Sequence, residues 1–449
     1  MAKKSTPPRV PASPRESAME DGNPALVPKL RFPEFRGAGH WTTERLRTLA
    51  IISTEKVGEK TCVPMSITSG VGLVSQMDKF GRVIAGSSYR NYLVLRKNDF
   101  AYNKSATKEY PEGFIALYRG KEPAAVPNSI FTCFRIVGDS PIPEYLNYLL
   151  LGNLHGKWLR KFIEVGARAH GSLSINDDDL LDLPVPIPLG IKSVNEQQKI
   201  ASCLSTLDEL IGAQGRKVAA LRTHKKGLMQ QLFPCEGETQ PRLRFPEFQD
   251  AGDWESKRLI ALCKRIMDGT HFSPKTKEGP RPYLTSKNIR MGWLDLSTVS
   301  YISEVEHKSI YARCPVEKYD VLLTKDGANT GNCAINNIDG QFSLLSSVAV
   351  LRGDPEQVTQ HFLYQAIASD GMQSTIANSM TGQAITRITL EKLGNYAVSV
   401  PSISEQQRIA SCLSSLDELI TAETQKLEAL KTHKRGLMQQ LFPSPEDAS

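Results

Sequence analysis

Apolar residues recur at alternating steps of four and three along two stretches of the chain. They fall at Ile200, Leu204, Leu207 and Ile211, then Val218, Leu221, Leu228 and Leu232, and again at Ile409, Leu413, Leu416, Ile420, Leu427, Leu430, Leu437 and Leu441. A spacing that averages about 3.5 residues is the seam of a coiled coil, so two long helices are predicted. Ser193-x-x-Glu196 and Ser402-x-x-Glu405 read as capping boxes, the Ser oxygen and the Glu carboxylate each taking up an orphan amide of the first turn. Prolines within residues 183–188 and at Pro401 keep the preceding chain extended, and Phe233-Pro234 and Phe442-Pro443 forbid continuation. At 1.5 Å per residue, about 37 residues make a rod on the order of 55 Å long.

The two helical stretches are nearly the same text, from Glu196 to Pro234 and from Glu405 to Pro443, and Leu30-Arg-Phe-Pro-Glu-Phe35 is echoed by Leu243-Arg-Phe-Pro-Glu-Phe248. A period of roughly 210 residues is far longer than any solenoid unit, so the chain is a tandem duplication of one module. Polar residues interrupt both seams at matching places, Gln214 and Lys225 in the first and Glu423 and Lys434 in the second. Either these specify register, an antiparallel pairing setting Lys225 against Glu423, or they snorkel to solvent. Two such rods packed antiparallel would hold whatever lies between the repeats at opposite ends, a separation of one to one and a half turns of B-DNA, whose half-sites repeat at about 34 Å.

Between the repeats the period changes. β-Branched and aromatic runs at Tyr92–Leu95, Ile130–Val137, Asp320–Leu323 and Ser346–Leu351, bounded by Gly, Asn and Asp, read as strands. Helical patterns follow at Glu144–Leu159 and Gln357–Ile376. The expected fold class is therefore mixed α/β: two globular α/β domains joined by two long antiparallel coiled-coil helices in a pseudo-twofold tandem repeat. The expected boundaries are a disordered tail over 1–27, a first domain over 28–192, a helix over 193–234, a linker over 235–253, a second domain over 254–400, a helix over 401–443 and a tail over 444–449. The two inserts scarcely match in sequence, which suggests one frame presenting two different readers.

Composition adds bounds. The 449 residues, 40% hydrophobic and 23% charged, have an ordinary soluble balance. No apolar run follows the basic start and none reaches the length of a membrane span, so a cytoplasmic location is expected. The eight cysteines are scattered singly, with no C-x-x-C pair and no zinc spacing, so reduced thiols and no metal are expected. A net charge of +7 permits a polyanionic partner without demanding one. Lys3, Lys4, Arg9 and Arg15 in the Pro- and Ser-rich start read as a solvated tail or as phosphate contacts.

A catalytic constellation is missing from the sequence. It has no phosphate loop, H-E-x-x-H, G-x-S-x-G or strand-linked G-x-G-x-x-G, and no Asn/Asp-Pro-Pro-aromatic tetrad of an amino-methyltransferase. His224 and His433, duplicated within Thr-His-Lys on the helices, read as surface positions. What the inserts offer is polar and basic side chains on turns: Tyr102, Asn103, Lys104 and Ser105, and Arg168 and His170, in the first; Lys287 and Asn288, Thr324 and Lys325, and Gln383 and Arg387 in the second. Arg and Lys suit guanine edges, Asn and Gln adenine edges, and Ser or Thr phosphate. Each loop alone is an ordinary turn; their joint occurrence in both inserts favours DNA. A protein-only scaffold and an enzyme with an unrecognised site are the competing classes, and the scaffold predicts assembly that salt does not weaken.

The phrase EQQ-[KR]-IASCLS-x-LDELI leading into LMQQLFP, twice, with LRFPEF and a Trp ahead of each domain, resembles the specificity (S) subunit of type I restriction-modification systems. The resemblance covers the chain after its N-terminal tail, for which the family pattern gives no role. It implies that each insert is a target recognition domain reading one half of a split double-stranded DNA sequence, and that the helices set the unread gap. It also implies that methyltransferase (M) subunits, two of them, dock on the helical frame and that the ATP-driven restriction (R) subunits join through the complex. On this resemblance the chain is not an enzyme, and S-adenosylmethionine, ATP and magnesium belong to its partners. The family's strand-loop segments correspond to Tyr102–Ser105 and Thr324–Gly327, and its late loops to Gly166–His170 and Thr381–Arg387. Because the inserts differ, the target is expected to be asymmetric.

Overall fold

The computed structural model describes residues 26–68, 70–163, 173–380 and 387–443. The N-terminal tail ahead of Leu26, the C-terminal tail and the candidate residues Arg168, His170 and Gln383 lie outside the described residues. The chain groups into two compact units, one made of the residues up to Gly212 with those from Glu428 onward, the other of Ala213–Leu427.

In the first unit the strands Ala50–Ser53, Phe131–Ile136, Asp99–Asn103 and Phe114–Leu117 form an antiparallel sheet in that order. Successive side chains of a strand point to opposite faces, and here both faces are covered. Phe100, Tyr102 and Phe134 enter one core with the helix Pro143–Leu151, while Ala101 and Cys133 enter another with Met65, Leu95 and Val126 of a second sheet. The runs are therefore continuously apolar rather than alternating. Phe100 and Phe134 sit opposite each other in register and stack, with ring centroids 5.0 Å apart.

The second unit repeats this plan. Its sheet runs Cys263–Asp268, Val348–Gly353, Val321–Thr324, Cys333–Ile335, with Val321 and Leu323 facing one core and Leu322 facing another. One ion pair recurs at the same place: Arg135 donates to both oxygens of Asp99 at 2.6 and 2.7 Å, and Arg352 to both of Asp320 at 2.9 and 2.7 Å. Hydrogen bonding to the buried carboxylate raises each guanidinium above its ordinary pKa. The two inserts, unlike in sequence, are thus two versions of one fold. The expected helix over Glu144–Leu159 is broken into Pro143–Leu151 and Leu154–Leu159, because Asn153 adopts a left-handed conformation at φ 65°. That over Gln357–Ile376 is broken at Ser369 into Gln360–Ala368 and Asp370–Met380.

The long helices are continuous, α1 over Ser193–Leu232 and α2 over Ile403–Leu441. In the first unit the start of α1 lies against the end of α2: Lys434 reaches Asp208 at 2.6 Å, and Tyr145 meets Phe442 with ring centroids 5.5 Å apart. In the second the end of α1 lies against the start of α2, with Lys225 on Asp417 at 2.6 and 2.7 Å and Phe233 stacked on Phe362 at 5.4 Å. The pairing is antiparallel, but the expected partner of Lys225 is corrected from Glu423 to Asp417. Glu423 instead accepts from Gln214 at 2.6 Å and from Lys217. Seam residues at the helix starts, Ile200 and Leu204, Ile409 and Leu413, are buried in the domain cores. Leu207, Leu221, Leu416 and Leu427 are half-buried, as a two-helix seam open on its flanks leaves them.

The capping boxes are also corrected. Glu196 is spent on Arg31, which grips it through Nε and Nη2 at 2.7 Å each and donates to the Ala38 and Gly39 carbonyls. Arg244 grips Glu405 at 2.8 and 2.7 Å and donates to the Ala251 and Gly252 carbonyls. Of the expected boxes only the Ser402 half forms, its hydroxyl accepting from the Glu405 amide at 3.4 Å. The duplicated LRFPEF segment is therefore a clasp on each helix start. The following glutamines complete it: Gln197 accepts from the Ile142 amide and Gln406 from the Thr359 amide, both at 2.9 Å and both ahead of the first helix that follows the sheet. Among the described residues no helix is long and apolar enough to cross a membrane.

Candidate nucleic-acid interface

One end of each four-stranded sheet gathers the candidate loops. In the first unit the strand Asp99–Asn103 runs into Lys104, whose amide donates to the Ile130 carbonyl at 2.8 Å and whose carbonyl accepts from Leu173 at 2.7 Å. In the second unit Val321–Thr324 runs into Lys325, whose amide donates to Ser347 at 2.9 Å and whose carbonyl accepts from Ile388 at 2.9 Å. Lys104 and Lys325 hold the same backbone position, clamped from the same two sides.

Their side chains meet different surroundings. Lys104 Nζ lies 4.0 Å from Asp177 and its side chain is 20% exposed. Lys325 is 2% exposed, with Nζ 3.3 Å from Asp268 and 3.5 Å from Asp326. Asp326 in turn lies 3.6 Å from Arg387, which is half exposed, and Asp268 lies 3.9 Å from Arg313 and 3.7 Å from His271. The second unit thus carries a chain of alternating charges at its sheet end, with Arg313 and Arg387 at its solvent side and His271 beside Asp268. Asp326 falls within the Thr324–Gly327 segment, whereas sequence reading missed Asp268, Arg313 and His271, which lie outside any motif and meet only when the loops fold together.

Burial corrects several of the candidates. Tyr102 is fully buried, its hydroxyl donating to the Glu112 carbonyl at 2.8 Å, and burial raises its pKa. It belongs to the core and presents no surface. Asn103 is 8% exposed, and its Oδ1 accepts from the Ser105 amide at 3.0 Å, so it shapes the turn that carries half-buried Ser105. Asn288 is 2% exposed, its side chain tied to the Thr285 amide and the Asp295 carbonyl, while its neighbour Lys287 is exposed. Thr324 is fully buried, with its hydroxyl unpartnered. The solvent-facing candidates are therefore Lys104, Ser105, Lys287 and Arg387.

Near the first site, Arg160 forms an ion pair with the buried Glu112, and Lys161 lies 3.0 Å over the Trp158 ring. His155 is buried beside them, 3.2 Å from the Gly113 carbonyl, and burial lowers its pKa. Among the described residues no group of three or more His, Cys, Asp or Glu is arranged to hold a metal ion.

Residues 251–432 match the type I restriction modification DNA specificity domain. The chain is 23% identical over 294 residues to the type I restriction enzyme MjaVIII specificity subunit of Methanocaldococcus jannaschii, covering 64% of this chain and 67% of that protein. The type I restriction enzyme EcoR124I/EcoR124II specificity subunit of Escherichia coli is 30% identical over 215 residues, 44% of this chain and 51% of its own length. The crystal structure of the type I restriction-modification S subunit from M. genitalium superposes with a TM-score of 0.57 at 17% identity, covering 93% of this chain and all of that one. The chain is similar to the type I restriction specificity subunits. A second solved structure, from work on complex assembly and conformational transition of the type I R-M system, has a TM-score of 0.52 over 90% of this chain.

Proposed function

We propose that this chain is the non-catalytic specificity subunit of a type I restriction-modification complex and that each unit's sheet end reads one half of an asymmetric, bipartite DNA target. The observation that carries this is the equivalence of Lys104 and Lys325: one backbone frame, built twice, sets the same lysine in unlike surroundings, half-buried beside Asp177 in the first unit and buried between Asp268 and Asp326 in the second, as two different half-sites require. In this reading Lys104, Ser105, Lys287 and Arg387 contact DNA, while Tyr102, Asn103, Asn288, Thr324 and Lys325 hold the loops in place. Arg168, His170 and Gln383 join the contacts from their loops. The helix pair sets the unread gap and docks the methyltransferase subunits, two of them because the docking text occurs twice. Restriction subunits join through the complex, and S-adenosylmethionine, ATP and magnesium act in those partners.

The test is to co-express the chain with its methyltransferase partner and map N6-methyladenine across the host genome. A bipartite motif with two unlike halves is expected. Scattered or absent methylation would favour a protein-only scaffold, as would an absence of DNA affinity with partner assembly that added salt does not weaken.

A further inference from the structure

We propose that Phe272 is an apolar wedge that enters the base stack of the half-site read by the second unit; the inference rests on the DNA reading above. Phe272 is 80% exposed, the most exposed aromatic side chain among the described large hydrophobic residues. It stands on the loop that leaves the sheet at Asp268, at the same sheet end as Lys325 and Arg387.

The loop is held where it leaves the sheet. A Cβ on Gly269 would collide with the Leu344 carbonyl, so only glycine passes there. Thr270 is stitched into the neighbouring strand, its amide donating to Leu344 and its carbonyl accepting from Ser346, both at 2.8 Å. Its hydroxyl accepts from the Phe272 amide at 3.2 Å. On the far side Glu306 accepts from the Lys275 amide at 2.7 Å and from Thr276. An anchored loop thus carries a ring out of the core rather than letting it fold back.

Basic side chains stand on and beside its loop. His271, Lys275 and Lys277 on the same loop are exposed, and Arg313, 60% exposed, donates to the Gly269 carbonyl at 3.4 Å. An exposed apolar ring on a loop that carries two lysines suits a polyanion whose interior is apolar and stacked, which describes duplex DNA and not a peptide groove. In the first unit the strand Ala50–Ser53 is followed by residues 54–61, which contain no aromatic residue, and Val57 there is buried. The wedge therefore belongs to one half-site only, and it gives the target a deformable step as well as base contacts.

The full chain in complex with its methyltransferase partner is titrated onto duplexes carrying 2-aminopurine at successive positions of the mapped target. Wild type is expected to raise fluorescence at one step of the second half-site and at none in the first. F272A should lose that signal and bind the target roughly tenfold more weakly, while F272W retains both and binding to unrelated DNA is unchanged. Equal signals in wild type and F272A, or an equal loss on all DNA, would overturn the wedge and leave the DNA reading intact. Failure of the wild-type complex to bind its target in a salt-dependent way would overturn the DNA reading itself.

Discussion

Gln214 hydrogen-bonds to Glu423, the residue that occupies its own place in the second repeat. A position that meets its own duplicate is what an antiparallel pair of identical helices requires where their registers cross. The flanking contacts obey the same rule, since Lys225 on Asp417 and Lys434 on Asp208 are one contact written twice. In each case a third side chain from the domain joins the carboxylate, Gln365 at 3.0 Å and Tyr148 at 2.9 Å. Register and domain position are therefore fixed by the same aspartates.

Glu423 gives this crossing a pH dependence. The Lys217 ammonium and then the Gln214 amide hold its carboxyl below the ordinary value of 4.5. A depressed folded pKa contributes stability above the unfolded value that is lost as pH falls through the folded one. Acid unfolding of the wild-type chain below about pH 4.5 should therefore be steeper than that of E423Q, with the two converging at low pH. Superimposable pH profiles would contradict the assignment.

The clasps should dominate the stability of the helix starts. Breaking a buried ion pair strands the remaining charge, at a cost of about 3–5 kcal/mol. Arg31 and Glu196 are 9% and 1% exposed, so R31A should lower the unfolding free energy by that order, and R31A/E196Q should recover part of it. Urea unfolding with a double-mutant cycle measures the coupling, and additive losses would contradict it.

Lys104 and Lys325 should separate by assay. K325M removes the partner of a buried aspartate and is expected to cost about 3 kcal/mol in stability. K104M, at a partly exposed side chain, should cost less than about 1 kcal/mol yet weaken DNA binding and reduce the salt slope by about 1. Calorimetry and binding titrations in a salt series check both. R387A should relax the methylated motif in the second half only, read as degeneracy at one position of that half.

The duplication, the long helices and the mixed α/β class were legible because identity and a heptad spacing are properties of the sequence itself. The common fold of the two inserts was not: it rests on buried alternation and on pairs such as Asp99 with Arg135, which lie 36 residues apart with nothing between to announce them. The clasp was equally hidden, since Arg31 finds Glu196 across 165 residues, and the capping box was the local reading of the same glutamate. Polar residues at or just after a strand end ordinarily face solvent, which is the expectation that Tyr102, Asn288, Thr324 and Lys325 break. Tyr102 and Thr324 are buried near the ends of strands covered on both faces, Asn288 against the Asp295 carbonyl and Lys325 against Asp268, none of which sequence position records.

In the proposed function each domain reads one half of the target by itself. A chain in which residues 254–400 are replaced by a second copy of 41–192, co-expressed with the methyltransferase partner, tests it by the methylation motif it produces. A palindromic motif built from the first half-site on both sides of the gap is expected. Recovery of the original asymmetric motif would contradict it.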